Sequence, residues 1–532
     1  MRELPARRGP ILLAAAFALA GAMPAARADI PNNEDLVCRP DQPELDKYGY
    51  LRALSLDLRG NIPTVDEMSM LDGQRDVPDA LVDQYLGSEE FVSQVVRRHR
   101  DLLWNNVGNV DIISFRQMFS AYNYPGGSTV YWRATPGRLY RGLDVPCDDV
   151  AATINNGVIK YRIDQNGYKR EGWVMVEPYW APGIQIKVCA FDAQAYRFTS
   201  TGTDCSTTES FSDEECGCGP NLRWCSTGTL YAELRSWLGK EVEMRIAAVI
   251  RGDLPYTELF TGNTAYVNGP MVHFYRHQAN LNGQVSVAPV AVNMDRLPDL
   301  KWTDKDFVKI ELGPEHGGIL TSPAYLLRFQ TYRARANRFF DSFLCQPYQP
   351  PPGGLPSPSD ACSAEPDLQN RCGCKFCHSL LEPAGAHWGR WGNGGGGYLN
   401  PTDYPRLRPD CLDCAISGRQ CTADCRSHYV TRALSAKEKP FLGTLGAYYF
   451  IRPEHEVNIE QGPRLLALST IVDGRLPNCT ARRTAEWLLG RELDEEEKTW
   501  VAQLSTDFVS SNYSYRKLVK AVIAGGAYRR VR

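Results

Sequence analysis

The sequence predicts an α+β multidomain protein that is mainly α-helical and carries one inserted, β-rich domain stapled by disulfides. Near both ends of the chain, apolar residues recur three and four positions apart, as on one face of a helix. From about 111 to 237, short β-branched and aromatic runs alternate with Gly, Pro, Asn and Asp clusters. This β-like stretch holds six of the 17 cysteines in the 532 residues, which predicts cross-links within it.

We expect an extracytoplasmic protein, periplasmic or extracellular, because the first residues have the pattern of a signal peptide. Arg2, Arg7 and Arg8 precede an apolar run from 11 to 22, and small residues then precede Asp29. No later stretch has the length and apolar character of a membrane span. The formal net charge of −3 gives no indication of a nucleic-acid partner. The predicted segments are a signal peptide at 1–28, an N-terminal helical domain at 29–109, a Cys-rich β insertion at 110–239, a helical domain at 240–344, a cofactor segment with a Pro-rich linker at 345–440 and a C-terminal helical domain at 441–532.

In the N-terminal helical domain, two sequence patterns mark helix starts. Thr64 followed by Glu67 has the spacing of a capping box, and Ser88 has the position of an N-cap for a helix that runs through Trp104. His99 falls within the apolar stripe of that helix. We interpret it as a buried, hydrogen-bonded core histidine in preference to a metal ligand.

The cysteines of the β insertion predict disulfides that hold a loop-rich sheet together. A thiolate metal site at Cys216, Cys218 and Cys225 is the disfavoured alternative, because two-residue gaps and a nearby histidine are both missing. A second cysteine cluster lies further along the chain, and its spacing also fits a small zinc knuckle. We favour two disulfides there as well, since the chain is predicted to be exported. This second cluster consists of Cys411, Cys414, Cys421 and Cys425.

Helical patterns return after the β insertion and at the C-terminus. A stiff Pro-rich linker from 346 to 358 leads into the cofactor segment, and a Gly-rich loop at 392–397 follows it. In the C-terminal domain, we predict a helix with Thr480 as its N-cap and Gly490 as its stop.

Residues 374 to 378 read Cys-Lys-Phe-Cys-His, the motif through which haem c is attached to proteins. At this spacing the thiols of Cys374 and Cys377 can add to two haem vinyl groups while the imidazole of His378 is delivered to the iron. The predicted export supports this interpretation, because haem c is attached outside the cytoplasm. The alternative is that both cysteines serve only in disulfides.

The second axial ligand of such a haem iron is left open by the sequence. All nine methionines lie before the motif, which excludes a methionine supplied downstream of it. His387, nine residues after His378, is our first candidate for a distal ligand or acid–base group; an ordinary surface or supporting histidine is the alternative. With no side chain bound, the iron would be open to peroxide or oxygen chemistry. The remaining candidates are His99, His273, His277, His316, His428, His455, Met271 and Met294.

Several segments resemble the cytochrome-associated domains of unknown function found in planctomycete and myxobacterial proteins. The matching stretches are 318–323, Arg338, 347–356, the haem motif with Leu381 to Gly385, and companion stretches at 54–60, 63–64, 253–259, 266–270, 490–493 and 528–531. The resemblance implies a haem c on a helical scaffold, but those families have no agreed activity. Two departures lie beside the motif: His387 with Trp388, and the inserted Gly-rich loop with its four-cysteine cluster.

Three functions follow from these observations. The first is electron transfer outside the cytoplasm, with a redox partner protein. The second is a haem enzyme of peroxidase or oxygenase type, with an open iron and a small-molecule substrate. The third is a surface module whose β insertion binds a cell-surface polymer, with the haem as an accessory group.

Overall fold

The computed structural model describes residues 43–134, 140–141, 146–281, 296–348, 354, 356–395, 397–419, 421–433, 435–448 and 455–530. It confirms the predicted fold class, because helices dominate on either side of one small, disulfide-linked mixed sheet. The predicted signal peptide at 1–28 lies outside the described residues.

The first four helices follow the predicted start signals. They are α1 (Lys47–Arg59), α2 (Val65–Met70), α3 (Asp79–Leu86) and α4 (Glu89–Leu103). Thr64 and Glu67 form both hydrogen bonds of the capping box, and Ser88 accepts a hydrogen bond from the backbone N–H of Phe91. His99 on α4 is buried, and its ring nitrogens contact the Val95 carbonyl and the Tyr256 hydroxyl, both at 2.8 Å. The core interpretation of His99 is therefore confirmed.

The described residues of the inserted region contain nine short strands. They are β1 (Met118–Asn123), β2 (Thr129–Trp132), β3 (Ile154–Asn155), β4 (Val158–Ile159), β5 (Arg162–Ile163), β6 (Lys169–Arg170), β7 (Trp173–Val176), β8 (Ile186–Cys189) and β9 (Ser226–Thr227). Five of them form a mixed sheet in the order β7-β8-β2-β1-β9, and β3–β4 and β5–β6 are separate two-stranded ribbons. The β character ends earlier than the range 110–239 implies, because a long helix begins at Gly228.

Three disulfides link the six cysteines of this insertion, as predicted. The pairs are Cys147–Cys189, Cys205–Cys216 and Cys218–Cys225. The insertion has only small clusters of buried apolar residues, so covalent links replace part of the stability that a larger core would provide. The disfavoured metal site at Cys216, Cys218 and Cys225 is wrong, because all three sulfurs are bonded to other sulfurs.

Helices predominate again among the described residues after the insertion. The elements are α5 (Gly228–Arg251), α6 (Glu258–Thr261), β10 (Thr264–Val267), α7 (Gly269–His277), β11 (Val308–Glu311), α8 (Pro323–Arg328), α9 (Tyr332–Leu344), α10 (Lys375–Ala386), α11 (Pro409–Ser417), α12 (Ala423–His428), α13 (Glu456–Val472), α14 (Arg475–Leu489), α15 (Lys498–Ser510), α16 (Tyr515–Ala524) and α17 (Gly526–Arg529). Gly490 ends α14 in a left-handed conformation, as predicted. The prediction for Thr480 is wrong: α14 begins at Arg475, and the Thr480 hydroxyl donates instead to the Leu476 carbonyl within the helix.

The N-terminal, central and C-terminal helices share one continuous hydrophobic core. The hydroxyl of Tyr50 on α1 donates to the Ile523 carbonyl on α16, and the disulfide Cys345–Cys479 joins the end of α9 to α14. The helical segments therefore depend on each other for burial of their apolar faces.

Within the described residues, seven disulfides are present, and no helix is both long and apolar enough to cross a bilayer. Disulfides persist in oxidising compartments, so this part of the chain is compatible with an extracytoplasmic location.

Candidate functional site

Cys374, Cys377 and His378 lie together at the start of helix α10. Cys374 is the N-cap residue, and its carbonyl accepts hydrogen bonds from the backbone N–H groups of Cys377 at 3.1 Å and His378 at 2.9 Å. Gly373, with φ of 78°, makes the left-handed turn into the helix, a conformation in which a Cβ would be strained. The structure thus winds the two sulfurs and the imidazole into a single helical turn.

The two cysteines of this turn differ from the other described cysteines, which all form disulfides. Cys374 and Cys377 take part in none, and both are half-exposed. The disulfide Cys362–Cys372 closes a short loop just before them and so fixes the chain that enters the helix. Cys38 lies outside the described residues.

His378 is oriented by a carboxylate on its own helix. Its Nδ1 hydrogen-bonds Oε1 of Glu382, one turn later, at 2.6 Å. Nε of Arg333 on α9 donates to the same oxygen at 2.6 Å, and the Glu382 side chain is only 7% exposed. Because Nδ1 is engaged, Nε2 is the ring nitrogen that can serve a ligand or a metal.

Tyr348 is a partly buried phenol within electrostatic reach of Cys377. Tyr348, at the start of the Pro-rich linker, packs its ring on Phe340 with 5.4 Å between centroids. Burial raises the pKa of the Tyr348 hydroxyl, and the neighbouring Cys377 raises it further. Among the described residues this buried hydroxyl has no hydrogen-bond partner. Leaving such a group unsatisfied costs about 1–3 kcal/mol, so it marks a place where a bound group could supply a partner.

Two large apolar side chains next to the motif face solvent. Phe376 is 53% exposed and Leu380, one turn later on α10, is 60% exposed. Since both are two residues from His378 on one helix, they lie on a face away from its imidazole.

The structure does not bring His387 together with His378. His387 is the C-cap residue of α10, nine residues beyond His378, which is about 13 Å along the axis of the same helix. Two ligands of one metal ion must lie within a few ångströms of each other, so His387 cannot complete a site with His378 in this conformation. Its Nδ1 hydrogen-bonds the Gly462 carbonyl at 2.9 Å, and burial lowers its pKa to about 4.

The segment after His387 is packed into the core. Trp388 is fully buried and donates from Nε1 to the Leu320 carbonyl at 2.9 Å. The buried guanidinium of Arg335 donates to the carbonyls of Trp391 and Gly392, at 2.7 and 2.8 Å. These contacts fix the far end of α10, so the unusual His387–Trp388 sequence has a structural use.

The four-cysteine cluster forms two disulfides, as favoured from the sequence. They join Cys411 to Cys425 and Cys414 to Cys421, and so tie α11 to α12 and to the loop before it. The zinc-knuckle alternative is wrong, because a sulfur bonded to another sulfur is no longer a thiolate ligand. Asp410 lies close to Cys411 and Cys425, but it is a single exposed carboxylate beside a disulfide.

Sequence reasoning missed three side chains of this site. Glu382 could have been found, because a carboxylate four residues after a histidine faces it on a helix. Arg333 and Tyr348 carry no such signal, since they come from α9 and from the linker and reach the motif only through folding.

Comparison of the chain with family models, with curated proteins and with solved structures finds no match.

Proposed function

We propose that this chain carries one haem c attached at Cys374 and Cys377, with His378 as an axial ligand, and transfers electrons outside the cytoplasm. The hydrogen bond between His378 Nδ1 and Glu382 is the observation that carries the proposal. Metal-ligating histidines in proteins generally donate their second ring N–H to a carboxylate or carbonyl, which fixes the ring and leaves the other nitrogen for the metal. The resemblance to cytochrome-associated domains is part of this proposal.

The two thiols lie at the start of α10, which supports covalent attachment there. Each S–H would add across one vinyl double bond, the sulfur bonding to carbon and the hydrogen completing the alkyl group, with no leaving group. Both side chains are half-exposed on the first turn of α10, where a cofactor can reach them. We further propose that export through the predicted signal peptide delivers the chain to the compartment where attachment occurs.

A bound haem would supply one-electron redox chemistry. Glu382 would hold the Nδ1 proton of His378, and its negative charge would favour the oxidised state of the site. Arg333 donates to the same carboxylate oxygen and so would moderate that effect. The Tyr348 hydroxyl would gain a polar neighbour. The partner in this function is a redox protein.

A second candidate is a haem enzyme of peroxidase or oxygenase type, and the position of His387 favours it. Our first candidate for a second axial ligand lies at the far end of α10, so the coordination position opposite His378 could accept a small molecule. A carboxylate behind the axial histidine strengthens that histidine as an electron donor, which suits oxidative chemistry. The partner would then be a small-molecule substrate.

Expression of the full chain in a host with haem-attachment machinery tests both candidates. We expect one haem per chain, retained after denaturing electrophoresis; a colourless protein contradicts the proposal. A low-spin spectrum in both oxidation states that does not change with carbon monoxide supports the electron carrier. A high-spin ferric spectrum with carbon monoxide binding in the ferrous state supports the enzyme.

A further inference from the structure

Two neighbouring cavities lie where the β insertion meets helix α7. Their volumes are about 370 and 300 Å³, and both are lined by Pro220, Arg223 and His277. Arg197 and Arg276 line the first cavity, Glu177 lines the second, and Arg197 forms a salt bridge with Asp204 at 3.1 Å. The arrangement is a cleft with an excess of guanidinium groups over carboxylates, far along the chain from the haem motif.

The loop that supplies Arg223 has an unusual backbone. Asn221 and Leu222 have φ values of 52° and 61°, so two consecutive residues other than glycine adopt the left-handed conformation. Each costs of order 1–3 kcal/mol, and such strain persists only where the surroundings enforce it. Here the disulfide Cys218–Cys225 closes the loop, and Asn221 Nδ2 donates to the Glu177 carbonyl at 2.9 Å.

Helix α7 fixes the backbone at Arg223. The carbonyl of this residue contacts His273 Nε2 at 3.0 Å and accepts a hydrogen bond from Gln278 Nε2 at 3.3 Å. The His273 ring stacks on Tyr179 with 3.8 Å between centroids. The strained loop, its disulfide and α7 therefore hold Arg223 in one place at the mouth of the cleft.

The guanidinium of Arg223 makes few hydrogen bonds to other protein groups in the described part of the chain. Its Nε donates to the Pro220 carbonyl at 3.2 Å, and within the described part of the chain it forms no salt bridge. Arg276 donates from Nη2 to the Leu297 carbonyl at 2.9 Å and from Nη1 to the fully exposed Asp299 at 3.3 Å, which leaves its remaining donor capacity for a ligand. Burial lowers the pKa of His277 to about 4, and the charges of Arg223 and Arg276 contribute to the decrease. Near neutral pH, His277 is thus an uncharged hydrogen-bonding group between two cations.

We propose that this cleft binds a small organic oxyanion, a carboxylate or a phosphate ester, through the guanidinium groups of Arg223 and Arg276 and the imidazole of His277. Planar guanidinium groups match such oxyanions with paired, charge-assisted hydrogen bonds. The aromatic and proline side chains of the second cavity, Tyr179, Pro178 and Pro182, would contact the uncharged body of the ligand. This site is independent of the haem proposal.

Calorimetry on the full chain with inorganic phosphate, galacturonate and neutral galactose tests the site. We expect the protein to bind phosphate, galacturonate or both. Comparing the two affinities shows whether the site prefers a phosphate or a carboxylate. Neutral galactose should not bind. Arg223→Gln should weaken it about tenfold or more. Arg162→Gln, an exposed arginine of the same insertion outside the cleft, should leave it unchanged.

Two further measurements distinguish a loss of binding from a loss of folding in Arg223→Gln. Arg223→Lys keeps the charge and should retain part of the affinity, and a bound anion should raise the pKa of His277 in an NMR titration. Absence of binding by both anions at about 10 mM, or equal weakening by Arg162→Gln, overturns the proposal.

Discussion

Two helices of this protein begin with the same Cys-x-x-Cys spacing. The two pairs of cysteines differ in their exposure and in their bonding. Cys374 and Cys377 begin α10 and are half-exposed, whereas Cys411 and Cys414 lie in the first turns of α11 and are buried. The second pair is bonded to Cys425 and Cys421, which the next helix and its preceding loop bring into reach.

The comparison shows that spacing decides where two sulfurs lie, while the surroundings decide what they can do. His378 follows Cys377 and is held by Glu382, but an alanine follows Cys414. Around Cys411 the local chain supplies two more sulfurs and a small apolar core. The second turn forms cross-links, whereas the first is the one that we propose to hold a ligand.

The largest expected difference between the two turns is in haem attachment. Cys377→Ala should abolish the haem-stained band of the denatured protein, because one thioether link and the local geometry are lost. The matched control, Cys414→Ala with Cys421→Ala, should keep the band when normalised to protein amount. Full covalent haem in Cys377→Ala would refute the assigned site.

For the free energy of unfolding we expect the opposite result: the cysteines of α11 should matter more than those of α10. Replacing Cys411 and Cys425 by alanine opens a loop with a sequence separation of 14 and should lower the free energy of unfolding by about 3 kcal/mol. Replacing Cys374 and Cys377 in haem-free protein should cost less than about 1 kcal/mol, since both are half-exposed. Urea denaturation measures both, and equal losses would remove the distinction.

Acid should destabilise the end of α10, at His387, more than the disulfide segment of α11 and α12. Burial lowers the pKa of His387 from 6.5 to about 4, so between these values the unfolded chain binds a proton that the folded one does not. Stability should fall as the pH decreases through this window, by about 3 kcal/mol for this group. His387→Asn should remove that part of the pH dependence.

His428, at the end of α12, is the matched control for His387. Burial lowers its pKa as well, but Asp424 opposes the decrease. His428→Asn should therefore change the pH dependence less than His387→Asn does. An equal or larger change would contradict the assignment.

The smallest effect concerns the reduction potential of the proposed haem. Glu382→Gln keeps a hydrogen-bond acceptor for His378 but removes the charge, so the potential should rise by some tens of millivolts. Arg333→Gln removes the cation that shares this carboxylate and should lower the potential. Spectroelectrochemistry measures both, and shifts of the same sign would argue against an electrostatic role for Glu382.

Local signals in the sequence predicted local structure well. The capping box of Thr64, the N-cap at Ser88 and the stop at Gly490 all depend on residues within one turn, and the structure has them. The N-cap prediction for Thr480 was wrong because a threonine hydroxyl can also donate to a carbonyl one turn earlier within a helix. The shared core of the three helical segments has no local signal, since it depends on how distant faces meet.

In the candidate site, too, the sequence predicted the local features and missed the contacts between distant elements. The CxxCH turn and the i,i+4 spacing of Glu382 are local, whereas Arg333 and Tyr348 arrive from other elements. Nearness in sequence misled for His387: nine residues of helix carry it to the opposite end of α10.

The contact between the two ends of the helical body has a consequence for the order of folding. The backbone N–H of Leu45 donates to the Arg529 carbonyl at 2.7 Å, and Glu44 and Arg530 form an antiparallel bridge. Helix α1 is synthesised long before its partners α16 and α17. The helical body can therefore complete its folding only after α16 and α17 have been synthesised.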